Sequence, residues 1–275
     1  MDQAAFIERI AALLGDEQSF RGLFLGGSFG RGTADEFSDV DMIAVVDADA
    51  IGATVAKWRS CLESLTPIVF WNQRVQGTIL LNAITANWLR CDLSIMPASA
   101  FTGRYRDTVK PLIDRDGLYS ALPEAMPATM ADSNKVKFLI SEFIRVLGLL
   151  QVVIGRKEYL TAVGGVGMLR DHLMNLMLEE VNVADRGGAL HLSKVLPNED
   201  MDLLLSLPFP KPKRDELIRA HFDIAQKFMP RAYALAAKLD LHWPDEFEKA
   251  TLQALTASLG PSPDWNTLSR NQPTC

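Results

Sequence analysis

The chain has 275 residues, enough to bury a full core as one large domain or two small ones. Apolar residues make up 48% and charged residues 23%, an ordinary globular balance that excludes a wholly disordered chain. The formal net charge of −6 argues against a protein that coats nucleic acid through bulk positive charge and puts small substrates ahead of nucleic-acid polymers.

Phe6, Ile7, Ile10, Leu13 and Leu14 recur at helical spacing, which predicts an opening helix packed on one face. Its acids set it apart from a secretory signal, and no apolar stretch is read as reaching membrane-spanning length. The period then changes. "RGLFLGG" and "VDMIAVVD" are short β-rich runs on either side of a glycine loop, and "PIVFW", "GTILLNAIT" and "WLRCDLSIMP" predict three more strands. With a helix expected over residues 50–65, residues 1–101 read as a small α/β unit with a mixed sheet. Residues 102–132, with prolines at 111, 123 and 127, are expected to be a connecting segment.

From Ser133 onward helical spacing takes over. "VGMLRDHLMNLMLEEVNV", "RDELIRAHFDIAQKFMPRAYALAAKLD" and "WPDEFEKATLQAL" continue as helices, so residues 133–258 read as an all-α substrate-binding domain. Pro230 is expected to kink one helix, and Pro244 suits the first turn of the last. "GGVG" at 164–167 reads as a helix-start loop, and residues 259–275 as a loose tail. Cys61, Cys91 and Cys275 form no CxxC pair and, with four scattered histidines, compose no zinc site; a reduced cytoplasmic setting is expected.

Gly26, Gly27, Gly30 and Gly32 place a loop with few Cβ atoms after the first strand, where backbone N–H groups can approach an anion such as phosphate. The letters match none of three familiar phosphate loops. Gly32 is followed by Thr33 with no lysine nearby, Asp35 stands where a dinucleotide fingerprint needs its third glycine, and there is no DFG to accompany a kinase loop. The aspartates that follow are more distinctive. In a strand, residues two apart share a face, so Asp39 and Asp41 project together while Val40 and Met42 face the core. Two adjacent carboxylates repel unless a cation lies between them, and magnesium is the natural candidate because it takes carboxylate and phosphate oxygens together. Asp92, inside an otherwise apolar run, supplies a third acid where an unpaired one is costly; pairing with Arg90 is the structural alternative.

Gly27-Ser28, Arg31-Gly32, Asp39-x-Asp41 within "SDVDMIAV" and the later strand aspartate resemble the nucleotidyltransferase superfamily that shares its palm with DNA polymerase β. The layout, a palm followed by a helical domain, is similar to aminoglycoside and lincosamide nucleotidyltransferases. The resemblance implies a nucleotidyltransferase palm and transfer of a nucleoside monophosphate from an NTP, with ATP the expected donor, to a hydroxyl with release of pyrophosphate. It implies that Gly27 and Ser28 hold the triphosphate and that Asp39 and Asp41 ligate magnesium, expected as two ions. Asp92 is either the third ligand or the base for the acceptor hydroxyl. Arg31 either binds phosphate or braces the loop. Lys135 and Lys137 either reach the triphosphate or lie on a solvated face, Arg170 and Asp171 form a surface pair or touch substrate, and Glu142, Glu158, Glu179 and Glu180 are solvated or attract a cationic acceptor. The expected partners are an NTP and a small hydroxylated acceptor, with no nucleic acid and no membrane. A protein or tRNA acceptor, or a nucleotide-binding regulator that performs no transfer, are the alternatives.

Overall fold

The computed structural model describes residues 2–187 and 189–269, which fall into two compact units divided between Met126 and Pro127. The first helix, α1 (Gln3–Gly15), starts where the Asp2 carboxylate accepts the Ala5 N–H, satisfying one of the unpaired donors of the first turn. It is followed by β1 (Phe20–Leu25), the one-turn α2 (Gly27–Gly30), β2 (Val40–Val46), α3 (Ile51–Leu65), β3 (Ile68–Gln76), β4 (Thr78–Thr85), β5 (Arg90–Met96) and β6 (Lys110–Asp114). The six strands form one sheet in the order β3-β4-β5-β2-β1-β6. Only β2 and β5 pair in parallel; every other pair is antiparallel, so the sheet is mixed as expected.

Strand alternation divides this sheet into two unlike faces. Leu23, Met42, Ala44 and Leu93 point to the face covered by α1 and α3, where Phe6, Ile10 and Trp58 are fully buried among them. Phe24, Ile43, Val45 and Met96 point the other way and meet Phe101, Val109 and Leu122, with the Phe24 and Phe101 rings stacked 4.5 Å apart. Val109 and Leu122 of that second cover come from the stretch expected to be a connecting segment. Residues 102–126 instead belong to the first unit: β6 pairs with β1, setting Ile113 opposite Leu23, and the division falls after Met126. Pro111 read as a linker signal, but it stands on an edge strand, where a missing N–H breaks no ladder.

The second unit holds α4 (Ser133–Gly148), α5 (Leu150–Gly155), α6 (Tyr159–Glu180), α7 (Leu192–Val195), α8 (Asn198–Ser206), α9 (Arg214–Lys238) and α10 (Asp245–Leu259). Three expectations are corrected here. Gly164–Gly167 lies inside α6, not in a loop before it. The stretch Ser133–Gly155 is long and apolar enough to cross a membrane by length and composition, contrary to the reading of the sequence. One side of it is spent internally, since Val136, Leu139, Phe143, Leu147 and Ile154 enter the helical core, while Phe138, Leu149 and Val152 are exposed. The tail is not loose up to Ser269: Trp265 and Leu268 are buried in that core, Trp265 edge-on to Phe222 at 5.4 Å, and the Tyr233 hydroxyl donates to the Leu268 carbonyl at 2.9 Å. Residues 270–275, including Cys275, lie outside the described residues, while Cys61 and Cys91 are buried free thiols. The helix α9 contains Pro230 well inside its span.

Burial of Trp265 makes the described stretch that follows α10 part of the helical fold. Trp265→Ala should lower the unfolding free energy by about 3–5 kcal/mol, the cost of removing a fully buried large aromatic. Urea denaturation followed by circular dichroism measures this, and a loss of under about 0.5 kcal/mol, as a surface position shows, is incompatible with the packing described.

Candidate functional site

The acids lie on the face of the sheet opposite α1 and α3. Val40 and Met42 are buried against the helices, so Asp41 between them projects to the other side, as alternation requires. The parallel register sets Asp41 opposite Asp92, and Ser94 lies two residues further along β5 on the same face. Gly26, Gly27, Arg31, Asp41, Asp92, Ser94, Arg104 and Thr108 line one cleft of about 310 Å³. The sequence-predicted Gly27, Arg31, Asp41 and Asp92 are thus gathered at one place.

The glycine loop is fixed by close approach. Gly26 donates its N–H to the Asp41 carbonyl at 2.9 Å, holding the loop against β2. Gly27 has φ +53, and a Cβ there would sit 1.9 Å from Asp41 Oδ2, so only glycine leaves room for the carboxylate. Gly30 faces the backbone of the following segment: its Cβ would stand 2.5 Å from the Thr108 carbonyl oxygen. Ser28 is buried, and its hydroxyl has no hydrogen-bond partner. An orphaned hydroxyl in the turn beside a carboxylate is unusual enough to require a reason, and an absent polar ligand is one.

The three acids differ in surroundings. Asp41 has its carboxyl pKa pushed up to about 6, first by burial and then by the charges of Asp39 and Asp92; Arg31 and Arg90 oppose the shift. Asp92 is also raised by burial, partly offset by the Asn82 side-chain amide, which donates to its Oδ2 at 2.7 Å. Asn82 in turn accepts from Arg74 Nη2 at 3.1 Å. Asp39, one residue before β2, is placed 3.5 Å from Arg90 Nη1, while Arg90 Nη2 donates to the Phe37 carbonyl at 3.0 Å. Arg90 therefore pairs with Asp39 rather than with Asp92.

Among the described residues, no three His, Cys, Asp or Glu side chains are drawn together into a ready metal-binding group. The chemistry of the set still fits a divalent cation carrying a nucleotide. Asp41 is destabilised as an anion by its two acidic neighbours, a cation relieves that repulsion, and the unpartnered Ser28 hydroxyl stands on the same loop.

Sequence reasoning missed Asn82, Arg74, Arg104 and Thr108. Asn82 opposite Asp92 on β4 is a cross-strand polar pair in an apolar strand, a signal that becomes visible only once the register is known. In the helical unit, Lys135 is committed to the buried Glu179 at 2.9 Å, which Arg186 also holds at 2.8 Å, whereas Lys137 is exposed. Arg170 donates to the Leu207 and Pro208 carbonyls and lies over the Phe209 ring; its side chain tethers that loop. Glu142 pairs with Arg145 and Glu180 with Arg231, while Glu158 immediately precedes α6.

Residues 7–70 match the nucleotidyltransferase domain family, a stretch that contains Gly27, Ser28, Asp39 and Asp41 but ends before Asp92. The resemblance to the nucleotidyltransferase superfamily read from the sequence is upheld, and the mixed sheet followed by a helical unit fits its fold. Among solved structures the chain is similar to an aminoglycoside 6-adenyltransferase from Bacillus subtilis, at 16% identity over 89% of this chain and 94% of that one, with a TM-score of 0.44. It is also similar to a nucleotidyltransferase-like protein from Exiguobacterium sibiricum, at 11% identity over 96% and 89%, TM-score 0.31. A third likeness is to the CdnE cyclic dinucleotide synthase of Elizabethkingia meningoseptica, at 13% identity over 94% and 92%, TM-score 0.27. At these values the likenesses carry nothing about substrate. No curated protein matches the chain.

The raised pKa of Asp41 has a measurable effect on stability. Its folded value of about 6 lies above its ordinary 3.8, so between those values the folded state binds more protons than the unfolded one. Stability from this group is therefore highest below pH 3.8 and is lost as pH rises through 6. Asp41→Asn removes the penalty. In the absence of divalent ions it should melt above the parent at pH 8, with the difference shrinking as pH falls toward 4. Thermal melts across that range test the assignment, and a lower melting temperature for Asp41→Asn at pH 8 contradicts it.

Proposed function

We propose that this chain is a magnesium-dependent nucleotidyltransferase that moves a nucleoside monophosphate from an NTP, ATP being the expected donor, to a hydroxyl of a small acceptor. The observation that carries this reading is the placing of Asp41 against Gly27 and beside Asp92, with the unpartnered Ser28 hydroxyl on the same loop. A glycine loop that presses on a carboxylate brings phosphate and metal ligands to one point, which phosphoryl transfer requires and a structural turn does not. The antibiotic acceptors of the family resembled, aminoglycosides and lincosamides, are the first class to test. A cytoplasmic location belongs to the same reading.

In this reaction an acceptor oxygen attacks the α-phosphorus. A new O–P bond forms, the bond from that phosphorus to the bridging oxygen of the β-phosphate breaks, and pyrophosphate leaves with the electron pair. Asp39 and Asp41 are the residues that hold magnesium, which when bound neutralises the triphosphate and steadies its charge during transfer. Gly27 and Ser28 hold phosphate oxygens, the Ser28 hydroxyl gaining the partner it lacks. Arg31 adds positive charge on the cleft wall. Asp92 takes the acceptor proton: burial raises its basicity, and Asn82 fixes the carboxylate through Oδ2.

Three variants test the roles by pyrophosphate release and by calorimetric binding of ATP with and without magnesium. Asp41→Asn should fold yet lose more than the roughly 10–100-fold typical of a residue that only supports a metal ligand. Asp35→Asn should lose far less, because the amide oxygen can still accept the Phe37 N–H and Ser38 hydroxyl that bond to Asp35 Oδ1. Asp92→Asn should bind MgATP normally and fail in turnover; weakened magnesium-dependent binding would assign Asp92 to the metal instead. Equal ATP affinity with and without magnesium would overturn the metal assignment.

A further inference from the structure

Among the charged side chains that line the cleft, Arg31, Asp41, Asp92 and Arg104, the last is left unused by the roles above. It follows β5 on the segment that covers the acidic face of the sheet, and its half-buried guanidinium lines the cleft with Gly27, Asp41 and Asp92. It lies over the Phe101 ring at 5.6 Å, and Phe101 itself stacks on Phe24 of β1, so the guanidinium is seated on two layers of aromatic packing. Its contacts with hydrogen-bond acceptors are few. Nη2 meets only the soft Met96 sulfur at 3.6 Å, and Nε is shut away from solvent with no partner. No carboxylate lies within ion-pair distance of it among the described residues, although Asp41 and Asp92 line the same cleft.

Half-burying a guanidinium without a carboxylate costs stability, and desolvation lowers its pKa in the direction that cost implies. Such a cation is left with donors to give. Its position tells which part of a ligand receives them. Four residues along the same segment, Thr108 also lines the cleft, and its carbonyl is the atom against which Gly30 of the glycine loop closes. Arg104 therefore approaches the cleft along the wall that backs the phosphate loop.

We infer that Arg104 is a binding residue for the outer phosphates of the nucleotide, clamping β- or γ-phosphate oxygens of the triphosphate held by Gly27 and Ser28. The planar fork presents two parallel N–H donors to an anionic phosphate edge, the geometry in which arginine binds phosphate best. This inference rests on the reading of the cleft as a nucleotide site. It adds that affinity there comes partly from a residue outside both the glycine loop and the aspartate pair.

Calorimetry on the full chain tests it with MgATP and AMP as probes, for the parent protein, Arg104→Met and Arg104→Lys. Loss of a charge-assisted contact should weaken MgATP roughly 10–100-fold in Arg104→Met and less in Arg104→Lys, which keeps the charge without the fork. AMP, which lacks the outer phosphates, should bind the parent and Arg104→Met within about twofold of each other, because no arginine contact is lost. Should AMP be too weak to detect in the parent, affinity resides in the outer phosphates and the MgATP comparison decides alone. Melting curves identify a variant that fails to fold; if Arg104→Met does, Arg104→Lys, which can still lie over Phe101, carries the test. MgATP affinity unchanged in both variants, or equal proportional loss of MgATP and AMP, overturns the inference while leaving the nucleotide reading standing. A parent protein that binds no nucleotide overturns both.

Discussion

The parallel pairing of β2 with β5 is the constraint on which the rest of the first unit depends. A parallel neighbour cannot be reached by a tight turn, so the chain must leave β2, cross over and return in the same direction. It does so through α3 and the β3–β4 hairpin, and α3 comes to cover the face where Met42 and Leu93 lie. The opposite face is thereby left for Asp41 and Asp92, which the same pairing sets side by side. Where the acids lie, and the fact that α3 covers the face opposite them, follow from one topological step.

That step carries an electrostatic cost. Asp41 is held in place by a buried strand beneath it and by Gly27 above it, so it cannot swing away from Asp92 and Asp39 to relieve repulsion. A flexible surface carboxylate would move into water instead. The core on the helical face supplies the stability that tolerates this strain, in the way that sites of chemistry commonly draw on the packing around them. Asn82 and Arg90 blunt the repulsion through Asp92 and Asp39, respectively, without removing it from Asp41.

Local features of this arrangement were legible in the sequence, and long-range ones were not. Five strands and the opening helix show in their periods, because alternation and helical spacing are properties of consecutive residues. The loop glycines and Asp39-x-Asp41 likewise sit within a few residues of one another. The strand β6 escaped because Pro111 resembles a break until the strand is known to lie at the sheet edge. Trp265 escaped because its burial depends on Phe222, far away in sequence and silent about its partner. Gly164–Gly167 misled for a different reason: glycine lowers helix propensity, but Leu169, Leu173 and Leu176 further along α6 bury enough apolar surface to override it. The cleft wall from Arg104 to Thr108 has no motif at all and becomes visible only when the sheet face it covers is known.

The two aspartates of the pair are not equivalent, and the difference bears on how such a cleft can work. Asp41 is fixed on a strand against a glycine, whereas Asp39 stands just outside the strand and is about one-third exposed, with its nearest cation, Arg90, at 3.5 Å. An exposed ion pair of that length contributes roughly 0–1 kcal/mol, so Asp39 can exchange Arg90 for another cation at little cost. Arg90 loses little by the exchange, since its Nη2 remains bonded to the Phe37 carbonyl. One acid thus defines the position of the site and the other adjusts to what arrives there. A cleft built from two rigid carboxylates would have to hold both unrelieved charges in the empty protein; with Asp39 engaged by Arg90, one of the two charges is partly compensated before any other cation arrives.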